Sequence, residues 1–216
     1  MIEMAKESKV DAVYNFIMNE FAQYHYQEGD RLIISQLAKC CNTSEIPVRE
    51  ALRRLESEGY LKIDKNRGAT VTGFSKSVLQ NIAQVKGVLE GYATRLAVDY
   101  MTPNDIRELY EINEKMRSAS QEQNDVIYSE MNRRFHSEIY KHVPNPELRD
   151  LIERLTNRWY FTASVFSMVP ERMTSSYQEH SIILSLIEAR KYDELENYVR
   201  KHKINALSAW RSGIKD

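Results

Sequence analysis

The chain has 216 residues, 42% of them hydrophobic and 28% charged, with a formal net charge of -1. This balance excludes a protein that coats nucleic acid by bulk positive charge, so any DNA contact must come from a local patch. No apolar run approaches the roughly 20 residues needed to cross a bilayer, and the start MIEMAKESKV lacks the apolar core of a signal peptide. Cys40 and Cys41 are adjacent, a spacing at which helical side chains diverge and form no ordinary structural disulfide. The expectation is a cytoplasmic protein with no membrane partner.

Glycines mark a change along the chain. Gly29, Gly59, Gly68 and Gly73 fall in the first third, against Gly87, Gly91 and Gly213 afterwards. The fold expected is mainly α: a small α+β module over residues 1–73, then an all-α bundle of six to seven helices over 74–216.

In the first helix Val10, Val13, Tyr14, Ile17, Met18 and Phe21 form one apolar stripe. Gly29 and Asp30 turn the chain, and Ser35 is placed to cap a short helix, Gln36 to Cys41, with Leu37 and one of the two cysteines inward. After a turn at Asn42 and Thr43, Ser44 is placed to cap a helix through VREALRRLESEGYL with Pro47 in its first turn, where a missing N–H costs nothing. Val48, Ala51, Leu52 and Leu55 give that helix its buried face, and Arg49 is the leading candidate for a groove contact. For Arg53 and Arg54 the competing role is surface ion pairing, with Glu50 and Glu58 a turn from Arg54. YLKI and ATVTG then alternate as a hairpin, with Lys65, Asn66 and Arg67 at its tip and Gly68 free to adopt positive φ. Two short helices followed by a basic-tipped hairpin follow the plan of a winged helix-turn-helix, whose second helix enters the major groove.

The segment TSEIPVREALRRLESEGYLKIDKNRGATV resembles the DNA-binding motif of the GntR family. The resemblance implies DNA-facing positions at Ser44, Glu45, Arg49, Arg67 and Gly68, and the surface set expected around them adds Ser35, Ile46, Arg53 and Asn66. The family usually carries arginine where this chain has Glu45. A carboxylate accepts hydrogen bonds and donates none, so a different operator sequence or weaker binding is expected.

The second module starts with a stripe of Val78, Ile82, Val85, Leu89, Tyr92 and Leu96, punctuated by Thr102-Pro103-Asn104. Further helical patterns cover Ile106 to Met116, Val126 to His142, Leu148 to Phe166, Met173 to Ala189 and Leu195 to Trp210. Three histidines stand on apolar stripes: His136 with Asn132, Phe135 and Ile139; His180 with Ile183, Leu184 and Ile187; His202 with Leu195, Tyr198, Val199, Ala206 and Ala209. Facing one core, three imidazoles and one oxygen donor suit a divalent transition metal such as zinc, nickel or manganese. The alternative for each is a hydrogen-bonded core histidine. His25 and His142 fall outside the pattern as surface residues.

MNRRFHSEIYKHVPNPELRDLIERL and EHSIILSLIEARKYDELENYVRKH are similar to the FCD effector domain of the FadR-like branch of that family. The resemblance implies a site made of an aspartate and three histidines, here Asn132, His136, His180 and His202. The neutral Asn132 lowers the expected metal affinity or removes the metal. It also implies a small carboxylate effector beside the metal, with Lys86 of KGVLE in place of an arginine. Arg95, Arg158 and Tyr160 are further effector candidates, against surface ion pairing or core packing.

The expected function is a homodimeric regulator, more often repressor than activator, that reads a palindromic double-stranded operator and responds to the effector. One alternative is a purely metal-responsive regulator. The other is a metal-dependent hydrolase, for which Glu179 is the one nearby base and for which no H-E-x-x-H, nucleophile elbow or phosphate loop is present.

Overall fold

The protein is described here from a computed structural model, which covers residues 8–22, 25–26, 28–64, 68–72, 76–160 and 165–213. The chain divides into two compact units, one holding α1 to α3 with the sheet and the other the later helices.

In the first unit α1 (Lys9–Ala22), α2 (Ile34–Cys40) and α3 (Glu45–Ser57) pack beside a sheet of β1 (Arg31–Leu32), β2 (Leu61–Asp64) and β3 (Gly68–Val71). The sheet is antiparallel in the order β1-β3-β2, with Leu32 opposite Ala69 and Asp64 opposite Gly68. Strand β1 is too short to announce itself by alternation. It pairs because Gly68 (φ +96°) brings its Cα so close to β1 that an added Cβ would lie 2.3 Å from the Leu32 carbonyl oxygen. The core joins Val13, Ile17 and Phe21 of α1 to Leu37, Val48, Ala51, Leu52, Leu55 and Ala69. The α1 stripe and the buried face of α3 are as read from the sequence.

Four local expectations are corrected or refined. Ser35 lies inside α2, whose N-cap is Ile33, so Ser35 caps nothing. Ser44 does hold the N-cap of α3 in extended geometry, yet makes no side-chain cap hydrogen bond. Helix α3 stops at Ser57 rather than running through Gly59, whose φ of +83° turns the chain into β2. Of the cysteines, Cys40 is exposed and only Cys41 is partly buried; Ala38 takes the inward place beside Leu37.

The second unit contains α4 (Lys76–Ala97) with a 3-10 turn (Val98–Tyr100), α5 (Pro103–Gln121), α6 (Asp125–Lys141), α7 (Pro146–Tyr160), α8 (Val165–Met168), α9 (Glu171–Glu188) and α10 (Tyr192–Gly213). Thr102 and Asp105 close a reciprocal capping box at the start of α5, with Pro103 in its first turn. Helix α5 packs against both α6 and α9, and α9 against α10. The pattern expected as one helix from Leu148 to Phe166 is covered by α7 and the start of α8, and residues 161–164 of it lie outside the described residues.

Helix α4 corrects the sequence reading most. Its buried face carries Leu79, Ile82, Ala83, Lys86, Glu90, Ala93, Thr94 and Ala97, while Val85, Val88 and Tyr92 are about half exposed. The cause is the approach of α10: a Cβ on Gly91 would lie 2.7 Å from the Glu196 carbonyl oxygen, so small residues face that backbone. Charged groups share the interior face with them, so of the expected stripe Ile82 is buried, Val78, Leu89 and Leu96 are partly buried, and Val85 and Tyr92 lie outward.

Candidate functional site

Two sites emerge, one in each unit. On the first, α3 separates its faces cleanly. Val48, Ala51, Leu52 and Leu55 are buried, whereas Glu45, Ile46, Arg49 and Arg53 are exposed, Ile46 to 69%. Arg49 Nη2 donates to Glu45 Oε2 at 2.9 Å across one helical turn, with both side chains half exposed. Arg54 is held in structure instead: it stacks 4.0 Å over the Tyr14 ring and pairs with Asp11 and Glu58. Ser44 is exposed at the helix start. Ser35 is exposed, whereas Gly68 is buried and shapes the wing strand without presenting a side chain. Lys65, Asn66 and Arg67 lie outside the described residues.

In the second unit the three histidines converge. His136 on α6, His180 on α9 and His202 on α10 are all buried, and each offers a ring nitrogen within 4.8 Å of the others'. The Nε2 atoms of His136 and His180 are 3.3 Å apart. Two nitrogens bound to one tetrahedral ion at about 2.05 Å are separated by roughly 3.3 Å, so the pair already has the spacing of shared ligation. Asn132 stands one turn before His136, and its Oδ1 is buried with no hydrogen-bond partner. Three converged imidazoles, with an orphaned carbonyl oxygen one helical turn from His136, are a donor set that fits a divalent transition metal.

Glu179, one residue from His180, points elsewhere than its neighbour. Its Oε2 lies 2.5 Å from His202 Nδ1 and its Oε1 accepts from Asn205 Nδ2 at 2.7 Å, while Arg172 pairs with the same carboxylate. With Nδ1 donating to Glu179, His202 has Nε2 left to bind an ion, the arrangement by which a carboxylate orients a ligating imidazole. Burial pushes the His202 imidazole down to about 4 against the opposing pull of Glu179. Burial likewise holds His136 and His180 well below the ordinary histidine value, helped by the Lys203 ammonium at His136 and by His202 at His180. All three are neutral at pH 7, the form that binds metal. Burial acts to raise Glu179, but its bonds to His202 and Arg172 prevail and hold it near 2.

Next to this cluster is a buried ion network that the sequence reading lacked. Lys86 is 6% exposed and reaches Glu90 Oε1 at 2.5 Å and the Thr156 hydroxyl. Lys203 reaches Glu90 Oε2 at 2.8 Å. Against the cost of burial, the Lys203 and Lys86 ammoniums hold Glu90 at about 2. The sequence signal was present only as charges at inward helical positions, one turn apart at Lys86 and Glu90. Arg95 is corrected: it is 40% exposed and paired with Asp193 and Glu196, because Asp193 and Glu196 of α10 meet it at the surface. The side chains of Arg158 and Tyr160 lie outside the described residues. His25 is exposed as expected; His142 is only partly so, at the end of α6 and 3.7 Å from Asp105.

Comparison with known proteins finds a family match in each unit. Residues 9–71 match the family described as bacterial regulatory proteins, gntR family, and residues 81–205 match the FCD domain. McbR, an HTH-type transcriptional regulator of Escherichia coli K12, is 34% identical over 143 residues, 66% of this chain and 65% of that protein. RspR, a transcriptional repressor of the same strain, is 22% identical over 194 residues, 88% of this chain and 83% of that one. The solved structure titled E. coli McbR/YncC superposes with a TM-score of 0.80 at 26% identity, covering 95% of this chain and 98% of the other. The chain belongs to the gntR family of bacterial regulatory proteins and carries an FCD domain. It is a DNA-binding transcriptional regulator, and its relatives are regulators rather than enzymes. Glu179 accords with that, being engaged by three side chains and no free base.

Proposed function

We propose that the protein is a homodimeric repressor working in the cytoplasm, whose affinity for a palindromic operator is set by a small carboxylate bound in the helical unit beside a divalent metal. The observation that carries this reading is the convergence of His136, His180 and His202, with Asn132 Oδ1 orphaned one helical turn before His136, in a chain whose other unit presents Arg49 on the exposed face of α3. The domain boundary proposed lies near residue 73.

Asn132, His136, His180 and His202 hold the ion, and Glu179 fixes the His202 tautomer. The ion supplies a Lewis-acidic anchor for an effector oxygen. Glu45, Ile46, Arg49 and Arg53 of α3, with Ser44 and the wing residues Asn66 and Arg67, face DNA. Val85, Val88 and Tyr92 give α4 an apolar face suited to a second copy of the chain. Repression is the sign suggested by RspR's designation.

Selection of genomic fragments by the purified protein, followed by footprinting, tests the reading: it requires one shared two-fold symmetric sequence. Metal and carboxylates are then added to the complex. Release by a carboxylate only when zinc, nickel or manganese is present supports the reading, release by metal alone replaces the effector with the ion, and scattered salt-sensitive binding sinks the regulator's specific operator.

A further inference from the structure

The buried polar atoms left without partners are concentrated on the inward faces of α6 and α9. On α6, Tyr128, Asn132 and His136 follow one another at single-turn spacing; on α9, Arg172, Ser176 and His180 do the same. Of these, Tyr128 Oη, Asn132 Oδ1, Arg172 Nε, Ser176 Oγ and His180 Nδ1 are buried without a well-formed hydrogen bond, the Tyr128 and Ser176 hydroxyls facing only each other. Tyr128 is 0% exposed, Ser176 1% and Arg172 5%. The two helices run so that the histidines meet at one level, while Tyr128 lies beside Ser176 and within electrostatic reach of Arg172 two turns lower on α6.

Orphaned buried hydroxyls and a guanidinium N–H are costly, and a protein retains them where something else completes them. The Arg172 fork is half used. Its Nη2 is anchored by Glu179 and its Nη1 donates to Ser175 at 2.9 Å, which leaves Nε–H free and fixed in direction. Phe166 of α8 packs on the Tyr128 ring, with centroids 4.5 Å apart, and closes that side with an apolar wall. Three donors, one of them cationic, with no free carboxylate among them, call for an anionic acceptor. Lys86, the cation that the sequence put forward for this role, is already held by Glu90 and Thr156.

We infer that Tyr128, Ser176 and Arg172 form a carboxylate-binding subsite, separate from the histidine cluster and from Lys86. One turn of α6 separates Tyr128 from Asn132, a rise of about 6 Å. An acid of three to four carbons therefore places its carboxylate at the subsite and directs a second oxygen toward Asn132 and the histidines. Occupation is relayed inward, because Arg172 holds Glu179 and Glu179 holds His202. This inference rests on the proposed carboxylate effector and states where that group is bound.

The test uses the full chain loaded with zinc and a panel of acetate, lactate, pyruvate and succinate, read by calorimetric titration and thermal melting. For the tightest-binding acid, Tyr128→Phe and Ser176→Ala each weaken binding about tenfold or more. Each also leaves the ligand-free melting temperature unchanged or higher, since an unsatisfied hydroxyl has been removed. That combination is one a merely structural role does not produce. Binding by both variants equal to the parent chain, or a structure with the acid bound at Lys86 or with water alone against the three atoms, overturns the subsite while leaving a carboxylate effector standing. No response of the parent chain to any panel member overturns both.

Discussion

Glu45 holds the guanidinium of Arg49 on the outer face of the recognition helix, Oε2 to Nη2 at 2.9 Å. In the proposed DNA-facing orientation, Arg49 is thereby partly neutralised before DNA arrives, and a carboxylate is carried toward phosphates. Glu45→Gln removes the charge and releases Arg49. Operator affinity is expected to rise several-fold, and Arg49→Ala to cost about 1–3 kcal/mol. Electrophoretic mobility shift at several salt concentrations measures both; equal affinity for parent and Glu45→Gln removes Glu45 from the DNA-facing surface.

Gly68 supports the wing from inside. A side chain there meets the Leu32 carbonyl at 2.3 Å and sits at φ +96°. Gly68→Ala is expected to destabilise the first unit by at least about 1–3 kcal/mol through backbone strain alone and to weaken operator binding in parallel. Thermal melting and DNA titration of the same sample check this, and an unchanged melting temperature contradicts it.

The histidine cluster dictates a pH dependence. Unfolded histidines titrate near 6.5, whereas in the fold His202 is pushed down to about 4 by burial and His136 and His180 also lie well below the ordinary value. The unfolded chain therefore binds more protons between those limits. Stability of the metal-free protein is full above pH 6.5 and is lost as pH falls toward 4, by up to about 1.4 kcal/mol per pH unit for each histidine. Urea unfolding of chelator-treated protein at pH 7.5, 6 and 5 measures the slope; a flat profile shows that the imidazoles stay exchangeable with solvent.

Glu179 and Asn132 tune the proposed metal site in opposite directions. Glu179→Gln is expected to weaken zinc binding roughly 10- to 100-fold by removing the group that orients His202. Asn132→Asp adds a charged oxygen and is expected to tighten it. Competition against a chromophoric chelator reads both, and identical affinities in all three proteins refute the ligand set.

Glu90 joins two ammonium groups in the interior at 1% exposure. Glu90→Gln strands both charges and is expected to cost about 3–5 kcal/mol. Denaturant unfolding measures it, and a loss under about 1 kcal/mol means that the network is hydrated.

Much of this architecture was legible in the residues. Helical spacing placed Val13, Ile17 and Phe21 in one core and His136, His180 and His202 on inward stripes, because a local period alone decides which face is apolar. Illegible were relationships across helices. Glu179 was visible only as a neighbour of His180 that points away from it, and nothing local said that His202 of α10 waits there. Lys86 is expected from the sequence to be available to an effector because Thr156, which accepts from it, and Lys203, which shares Glu90 with it, are 70 and 117 positions distant. On α4 the apolar period misplaces Val85 and Tyr92 because Gly87 and Gly91, which admit the α10 backbone, carry no hydrophobic signal.

The division of α3 into a buried row and an exposed row has an evolutionary consequence. Val48, Ala51, Leu52 and Leu55 anchor the helix, while Glu45, Ile46, Arg49 and Arg53 contribute nothing to the packed interior. With the second row in its proposed place against DNA, substitutions there redirect the regulator to new promoters one position at a time, with the scaffold that presents them left intact.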